Sequence, residues 1–377
     1  MSPSRHDREE AEARHIDLRR AALSGEASEQ RTGAERPEDL QEVDVWDRLP
    51  GETFSRGDAT YYDRPVLKEP VWIWAVPAYF YVGGAAGAAS LLAEVAESLT
   101  RAETDGLVRT ARRIGAAGGG VGTVLLIYDL GRPERFLNML RVYRPTSAMS
   151  LGSWTLAAAT PVFAASAVLP HAGGLLGHLG NLLGKVAGFL GMPLAGYTAV
   201  LLTNTAVPVW QASTRSLPWL FIGSAMSAAG SLLGFADLNE TEERIVRRYE
   251  VAGQMTELAA TWAVERDVSK VERVGRPYRE GVSGGLWRAS KALTAASLAL
   301  NLWPPHGRSL RFAGGAFGTA GALGVRFATF YAGKASARDP RATFHGQRAG
   351  EGGAGATGSA AVSGPGGRRA TDQPAPR

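Results

Sequence analysis

The chain has 377 residues, no cysteine and a formal net charge of +5. Without Cys there is no disulfide, thiolate zinc site, Cys nucleophile or Cys-ligated iron–sulfur cluster. A charged fraction of 20% and a mean hydropathy of -0.09 average like a soluble protein, but the charge gathers at the two ends, so hydropathy has to be read in windows.

Residues 1–60 mix charges of both signs with few apolar side chains and are expected to form a disordered charged tail. Arg19-Arg20 has no apolar stretch behind it, so no cleaved signal is expected. Residues 335–377, rich in Gly, Ala, Arg and Pro, read as a second disordered tail. Between them, residues 61–334 hold repeated apolar runs, several of about 18 residues or more, enough to cross a bilayer core of roughly 30 Å. The expected class is all-α integral membrane, with about eight transmembrane helices in one bundle. The spans fall near 71–93, 111–128, 153–169, 186–210, 217–235, 252–264, 286–303 and 312–332.

The first span opens on Trp72-Ile73-Trp74 and continues Tyr79-Phe80-Tyr81, aromatics suited to the headgroup level. Gly83 and Gly87, Gly118 and Gly122, Gly230 and Gly234, and Gly314 and Gly318 are spaced for close helix crossings. Pro77, Pro161, Pro193 and Pro208 predict kinks. The sixth segment is short and carries Glu257. It reads either as a span with Glu257 on a proton path, or as an interfacial amphipathic helix with Glu257 in water. Arg and Lys in the loops after spans two and six, and after span eight, place both tails inside by a modest margin, which makes this a multi-pass protein of the cytoplasmic membrane.

Alternation of spans brings four helix ends to one face. That face gathers Lys68, Glu69, Trp72 and Trp74 at the start of span one, and Asp129, Arg132 and Arg135 after span two. It adds Ser153 and Trp154 at the start of span three, and Asn204, Trp210 and Gln211 towards the end of span four. By residue type alone, segment 128–136 reads as an ion-paired interfacial loop that fixes helix ends.

The string itself says more. Asp-Leu-Gly-Arg-Pro-Glu-Arg-Phe-Leu-Asn-Met-Leu-Arg-Val over 129–142, then Pro145, Met149-Ser150 and Gly152-Ser153-Trp154, resembles the NrfD/polysulfide-reductase membrane-subunit family. Tyr61-Tyr62-Asp63-Arg64-Pro65-Val66-Leu67-Lys68-Glu69-Pro70-Val71-Trp72 resembles it too, as do Gly196-Tyr197-Thr198 and Thr205-Ala206-Val207-Pro208. The resemblance implies a helical membrane anchor, typically of eight spans, that exchanges electrons between a quinone pool (menaquinone or ubiquinone) and a ferredoxin-like iron–sulfur subunit docked on one face. A molybdopterin oxidoreductase catalytic subunit, of formate dehydrogenase or polysulfide reductase type, often completes such a complex. The chain would then not be catalytic alone.

The histidines agree with this. His6, His15, His171, His178, His306 and His345 all lie outside the middle of a span, so no haem is expected, and no iron–sulfur cluster. A quinone headgroup needs hydrogen-bond donors beside an apolar slot and a titratable group for its protons. The shared face supplies Asp129 as proton partner and Arg132 to tune its charge, lined by Glu69, Trp72, Trp74, Arg135, Ser153, Trp154, Asn204 and Trp210. Partners are lipid, quinone and redox subunits, with no nucleic acid. A secondary transporter would call for a polar cluster in mid-membrane, of which only Glu257 is a sign. A purely structural anchor would use the same face for docking alone.

Overall fold

The computed structural model describes residues 16–17, 22–23, 67–100, 103–132, 134–303 and 307–348. Most of both expected tails, together with the Tyr61–Val66 part of the first motif and Pro133, lies outside the described residues. Within residues 1–60 the described part is one short antiparallel pairing, β1 (Ile16–Asp17) with β2 (Ala22–Leu23). Residues 335–348 are almost wholly helical.

The long helices fall where the apolar runs are. They are α1 (Ala75–Thr100), α2 (Asp105–Asp129), α4 (Ala148–Val168), α5 (Gly174–Thr203), α7 (Leu217–Leu233), α8 (Glu240–Ser269), α10 (Gly281–Leu302) and α11 (Arg308–Arg338). Short helices fill the joints: α3 (Arg135–Met139), α6 (Pro208–Ala212), α9 (Glu272–Gly275) and α12 (Pro340–Arg348). Among the described residues, three stretches are long and apolar enough to cross a membrane by length and composition: Ala75–Ser98, Ala148–Ala172 and Gly174–Thr203. Leu217–Leu233 is apolar but shorter. The sixth segment is not the short run expected at 252–264; it is the 30-residue α8, whose charged ends extend the helix.

Local chemistry sets the helix ends. Pro77 falls in the first turn of α1 and Pro208 begins α6, positions where a missing N–H costs little, so neither kinks a span. Pro161 and Pro193 do lie inside α4 and α5. Gly131, two residues beyond α2, takes φ +67°, the left-handed turn that a side chain would resist. Asn239 and Glu242 form a reciprocal capping box at the start of α8. The same Glu242 also accepts the Leu107 N–H of α2 at 2.7 Å, so one buried carboxylate closes two helix N-termini.

α1 is the hub, packed on α2, α5 and α7, while α4 packs on α2 and α5, and α8 on α7 and α10. A Cβ on Gly87 would lie 2.5 Å from Gly191 O, so α1 and α5 cross backbone to backbone. This depth explains a departure from expectation. Tyr79, Phe80 and Tyr81 are buried in the bundle and do not form a headgroup belt, whereas Trp74 and Tyr128 are exposed.

Candidate functional site

Two polar regions stand out, one at the face where α1 begins and one among α7, α8, α10 and α11. At the first, Asp129 Oδ1 accepts the Ile73 N–H at 2.9 Å, which ties the end of α2 to the entry of α1. The motif aspartate therefore meets a backbone donor at the entry of a helix. Trp74 tilts against Tyr128 with ring centroids 6.2 Å apart. Trp72 stacks on Trp210 at 6.3 Å and 22°, which joins the start of α1 to α6.

Trp210 is fully buried and its Nε1–H donates to Thr329 O of α11 at 2.9 Å. Its indole donor is therefore occupied, and its ring is taken up by packing against Trp72 and Gly333. Lys334 Nζ, one turn further along α11, donates to Trp72 O at 3.1 Å and lies 5.4 Å from the Phe330 ring centroid. Lys334 is not among the residues the sequence assigned to this face; its position at the end of the apolar run of span eight is the signal that was available.

The other expected residues are engaged locally. Ser153 is buried and its hydroxyl donates to Ser150 O at 3.0 Å. Trp154 meets Tyr143 edge to face at 6.0 Å. Asn204 is exposed, with its amide on Val200 O at 2.8 Å. Gln211 is half-buried in α6, Arg132 and Lys68 are exposed, and Arg135 begins α3. The Glu69 carboxylate takes a bidentate pair from the Arg338 guanidinium, at 2.6 and 2.9 Å. Asp129, Trp72 and Trp210 are thus joined to neighbouring helix ends, while Ser153, Trp154 and Asn204 are held by groups of their own segments.

Just inside this face, the hydroxyls of Tyr79 (α1) and Tyr197 (α5) meet. Gly83 and Gly122 leave room for the Tyr79 ring, and Gly152 for that of Tyr197. In the sequence Tyr79 reads as a headgroup-level aromatic and Tyr197 as part of the Gly196-Tyr197-Thr198 string, and neither reading pairs the two.

The second region was hardly visible in the sequence. Glu250, Gln254 and Glu257 recur at four- and three-residue spacing, so they share one face of α8, and all three are buried. Glu250 Oε1 accepts from Ser231 Oγ of α7 at 2.7 Å and from Gln254 Nε2 at 3.0 Å. Gln254 Nε2 also donates to Ser297 Oγ of α10 at 2.7 Å, and Ser297 Oγ donates to Gly314 O of α11 at 2.7 Å. Asn301 Nδ2 donates to Gln254 Oε1 at 3.3 Å. Gly318 leaves space for this network: a Cβ there would meet the Ser231 and Ser297 hydroxyls and Glu250 Oε1. The Gly314/Gly318 pair, expected to bring helices together, in part makes room for a carboxylate.

Glu257 is 2% exposed, so the reading of an interfacial helix with Glu257 in water is corrected: α8 turns this face into the bundle. Its Oε1 accepts from Thr294 Oγ1 at 3.1 Å, and Oε2 is buried without a hydrogen-bond partner. Arg326 of α11, 1% exposed, lies near enough to act on it electrostatically, with no hydrogen bond between the two. One Nη of Arg326 donates to Phe221 O at 2.7 Å, and the guanidinium lies 3.8 Å from the centroid of that residue's ring. Its Nε and other Nη have no hydrogen-bond partner. The interior therefore holds a polar cluster where the sequence suggested one glutamate. Among the described residues, no group of three or more His, Asp or Glu is placed to hold a metal ion.

Residues 65–267 match the family described as "Polysulphide reductase, NrfD". A stretch of 95 residues is 33% identical to the C subunit of the polysulfide reductase of Wolinella succinogenes, covering 24% of this chain and 30% of that protein. The match thus spans less than a third of that relative's length.

Proposed function

The chain belongs to the polysulphide reductase NrfD family of membrane proteins, and from that premise we propose that it is the quinone-reactive subunit of a respiratory oxidoreductase complex in the cytoplasmic membrane. In this reading about eight helices span the bilayer. A ferredoxin-like iron–sulfur subunit docks at the face where α1 begins, and a molybdopterin subunit of formate dehydrogenase or polysulfide reductase type stands behind it. The chain offers no Cys, and none of its histidines lies in the middle of a span, so electrons pass directly between the partner's cluster and quinone.

The observation that carries the reading is the junction of Asp129 with the entry of α1, beside the stacked Trp72 and Trp210. A quinone is a flat substrate with two carbonyl oxygens, and its reduction takes two electrons and two protons. Trp72 and Trp74 supply ring faces, and buried Trp210 backs Trp72. Arg132 and Lys334 place positive charge where the reduced ring gathers electron density. Asp129 serves as the proton partner in exchange with water at this half-exposed end. Glu257, with Arg326, provides a buried relay for protons through the second half of the bundle.

Two measurements test this. Solubilised complex recovered on the tagged chain is expected to carry an iron–sulfur subunit and to reduce or oxidise added quinone. Asp129→Asn is expected to lower quinone turnover by about 100-fold, the size of a lost acid–base group, while the complex stays assembled. An assembled Asp129→Asn complex with normal turnover rejects the role of Asp129. A chain recovered with neither partner nor quinone activity rejects the whole reading.

A further inference from the structure

Between the end of α8, the Arg276–Tyr278 turn and the start of α10 lies a cavity of about 490 Å³. It is lined by Arg266, Arg279, Arg288 and Lys291 against a single carboxylate, Glu265. That carboxylate is already engaged: its Oε1 accepts from Lys291 Nζ at 2.5 Å and from Trp287 Nε1 at 2.7 Å. Arg288 gives one N–H to Arg279 O at 2.9 Å, and Arg266 lies 5.6 Å from the centroid of the Trp262 ring. Three guanidiniums therefore line one concave site with no carboxylate partner among the described residues. The electron-transfer reading gives them no task.

The surface below the cavity is ordered by depth. Along α8, Met255, Ala259, Trp262 and Arg266 follow one another at helical spacing and are all exposed. Along α10, Arg288, Ala292, Ala295 and Ala299 do the same. α8 packs on α10, and the two stripes meet at the cavity, which Trp262 and Arg266 line from one side and Arg288 from the other. Each stripe is apolar within the bundle's height and ends in an arginine at the cavity. Trp262, 62% exposed, sits between the methionine and the guanidinium, as an interfacial indole does.

We propose that this cavity binds the phosphate headgroup of an anionic phospholipid, with its acyl chains lying along the apolar stripes of α8 and α10. The guanidiniums match a phosphate in charge and in fork geometry. Phosphate chemistry alone would also fit free phosphate. The apolar stripes under the arginines favour a lipid, since a free ion has no use for them. The assignment needs only that the chain spans a membrane, and it stands whether or not quinone is the substrate.

The test uses the full chain, purified in mild detergent and titrated with phosphatidylglycerol or with phosphatidylcholine, with bound lipid counted by native mass spectrometry. Phosphatidylglycerol is expected to bind and phosphatidylcholine to bind at least tenfold more weakly. Arg266→Gln and Arg279→Gln are each expected to weaken phosphatidylglycerol binding by about fivefold, the worth of one cation near an anionic headgroup. Arg266→Lys, which keeps the charge on an exposed residue, is expected to restore most of it. Equal binding of the two lipids overturns the proposal, as does unchanged phosphatidylglycerol binding in both Gln variants. Displacement of phosphatidylglycerol by millimolar inorganic phosphate assigns the site to a free ion and overturns it too. Loss of a co-purifying protein subunit from the Gln variants, with lipid binding intact, makes the cavity a protein-docking surface and rejects the lipid.

Discussion

Where α1 crosses α5, Gly87 and Gly191 bring two backbones into contact and nothing polar from a side chain intervenes. Where α8 meets α7, α10 and α11, the contact is built from Glu250, Gln254, Ser231, Ser297 and Asn301, with Glu257 and Arg326 further along. The first is close backbone packing at Gly87 and Gly191, and the same two helices are joined further along by the Tyr79–Tyr197 hydroxyl contact. The second holds titratable groups in low dielectric, where each lost partner leaves a costly orphan but where a proton can be passed on. The same bundle therefore contains a close-packed crossing and a polar interior, and the buried carboxylates belong to the second.

Removing the carboxylate near buried Arg326 is expected to have the largest effect. Glu257→Leu takes the acid away from that guanidinium and leaves Thr294 Oγ1 without its acceptor, and is expected to cost about 3 kcal/mol, read as a lower Tm in detergent. The double change of Glu257→Leu with Arg326→Met is expected to recover most of that loss; if it recovers none, the two groups are not coupled. Gly87→Val drives a side chain into the α5 backbone and is expected to cost about 3 kcal/mol. Gly120→Val, at a position with nothing within 4 Å of a Cβ, is the control and should leave stability nearly unchanged.

Smaller effects sharpen the contrast. Trp210→Phe removes the hydrogen bond to Thr329 O while keeping a ring for Trp72, and is expected to cost about 1 kcal/mol. The weakest effect belongs to Tyr278, in the turn between α9 and α10, whose phenol is pushed up from 10.0 by burial. A raised phenol stabilises the fold fully below pH 10 and loses that contribution as pH rises through its folded value. Tyr278→Phe should flatten the alkaline limb of the stability profile, and an unchanged limb would assign it to other groups.

Much of the near-face site was legible, because Asp129, Trp72 and Trp210 lie at span ends whose order alone puts them on one side. Their bonding was not. That Trp210 donates to Thr329, or that Ser153 and Asn204 turn back on their own helices, depends on rotamers that a string of residues does not record. Segment 128–136, which by residue type reads as a loop that fixes helix ends, does so at two positions: Asp129 holds the entry of α1, and Gly131 takes the left-handed turn.

The sequence by itself determined that the chain builds apolar helices, roughly where each lies and which ends share a face, since hydropathy and helix termination are local and add along the chain. Tertiary structure alone decided that Tyr79 turns inward, that Glu257 is buried opposite Arg326, and that three arginines converge at one cavity. Those facts depend on the rotation of each helix about its axis and on its register against helices far away in sequence. A polar residue in a helix reads the same in one dimension whether it faces water, lipid or another charge, and packing chooses among the three.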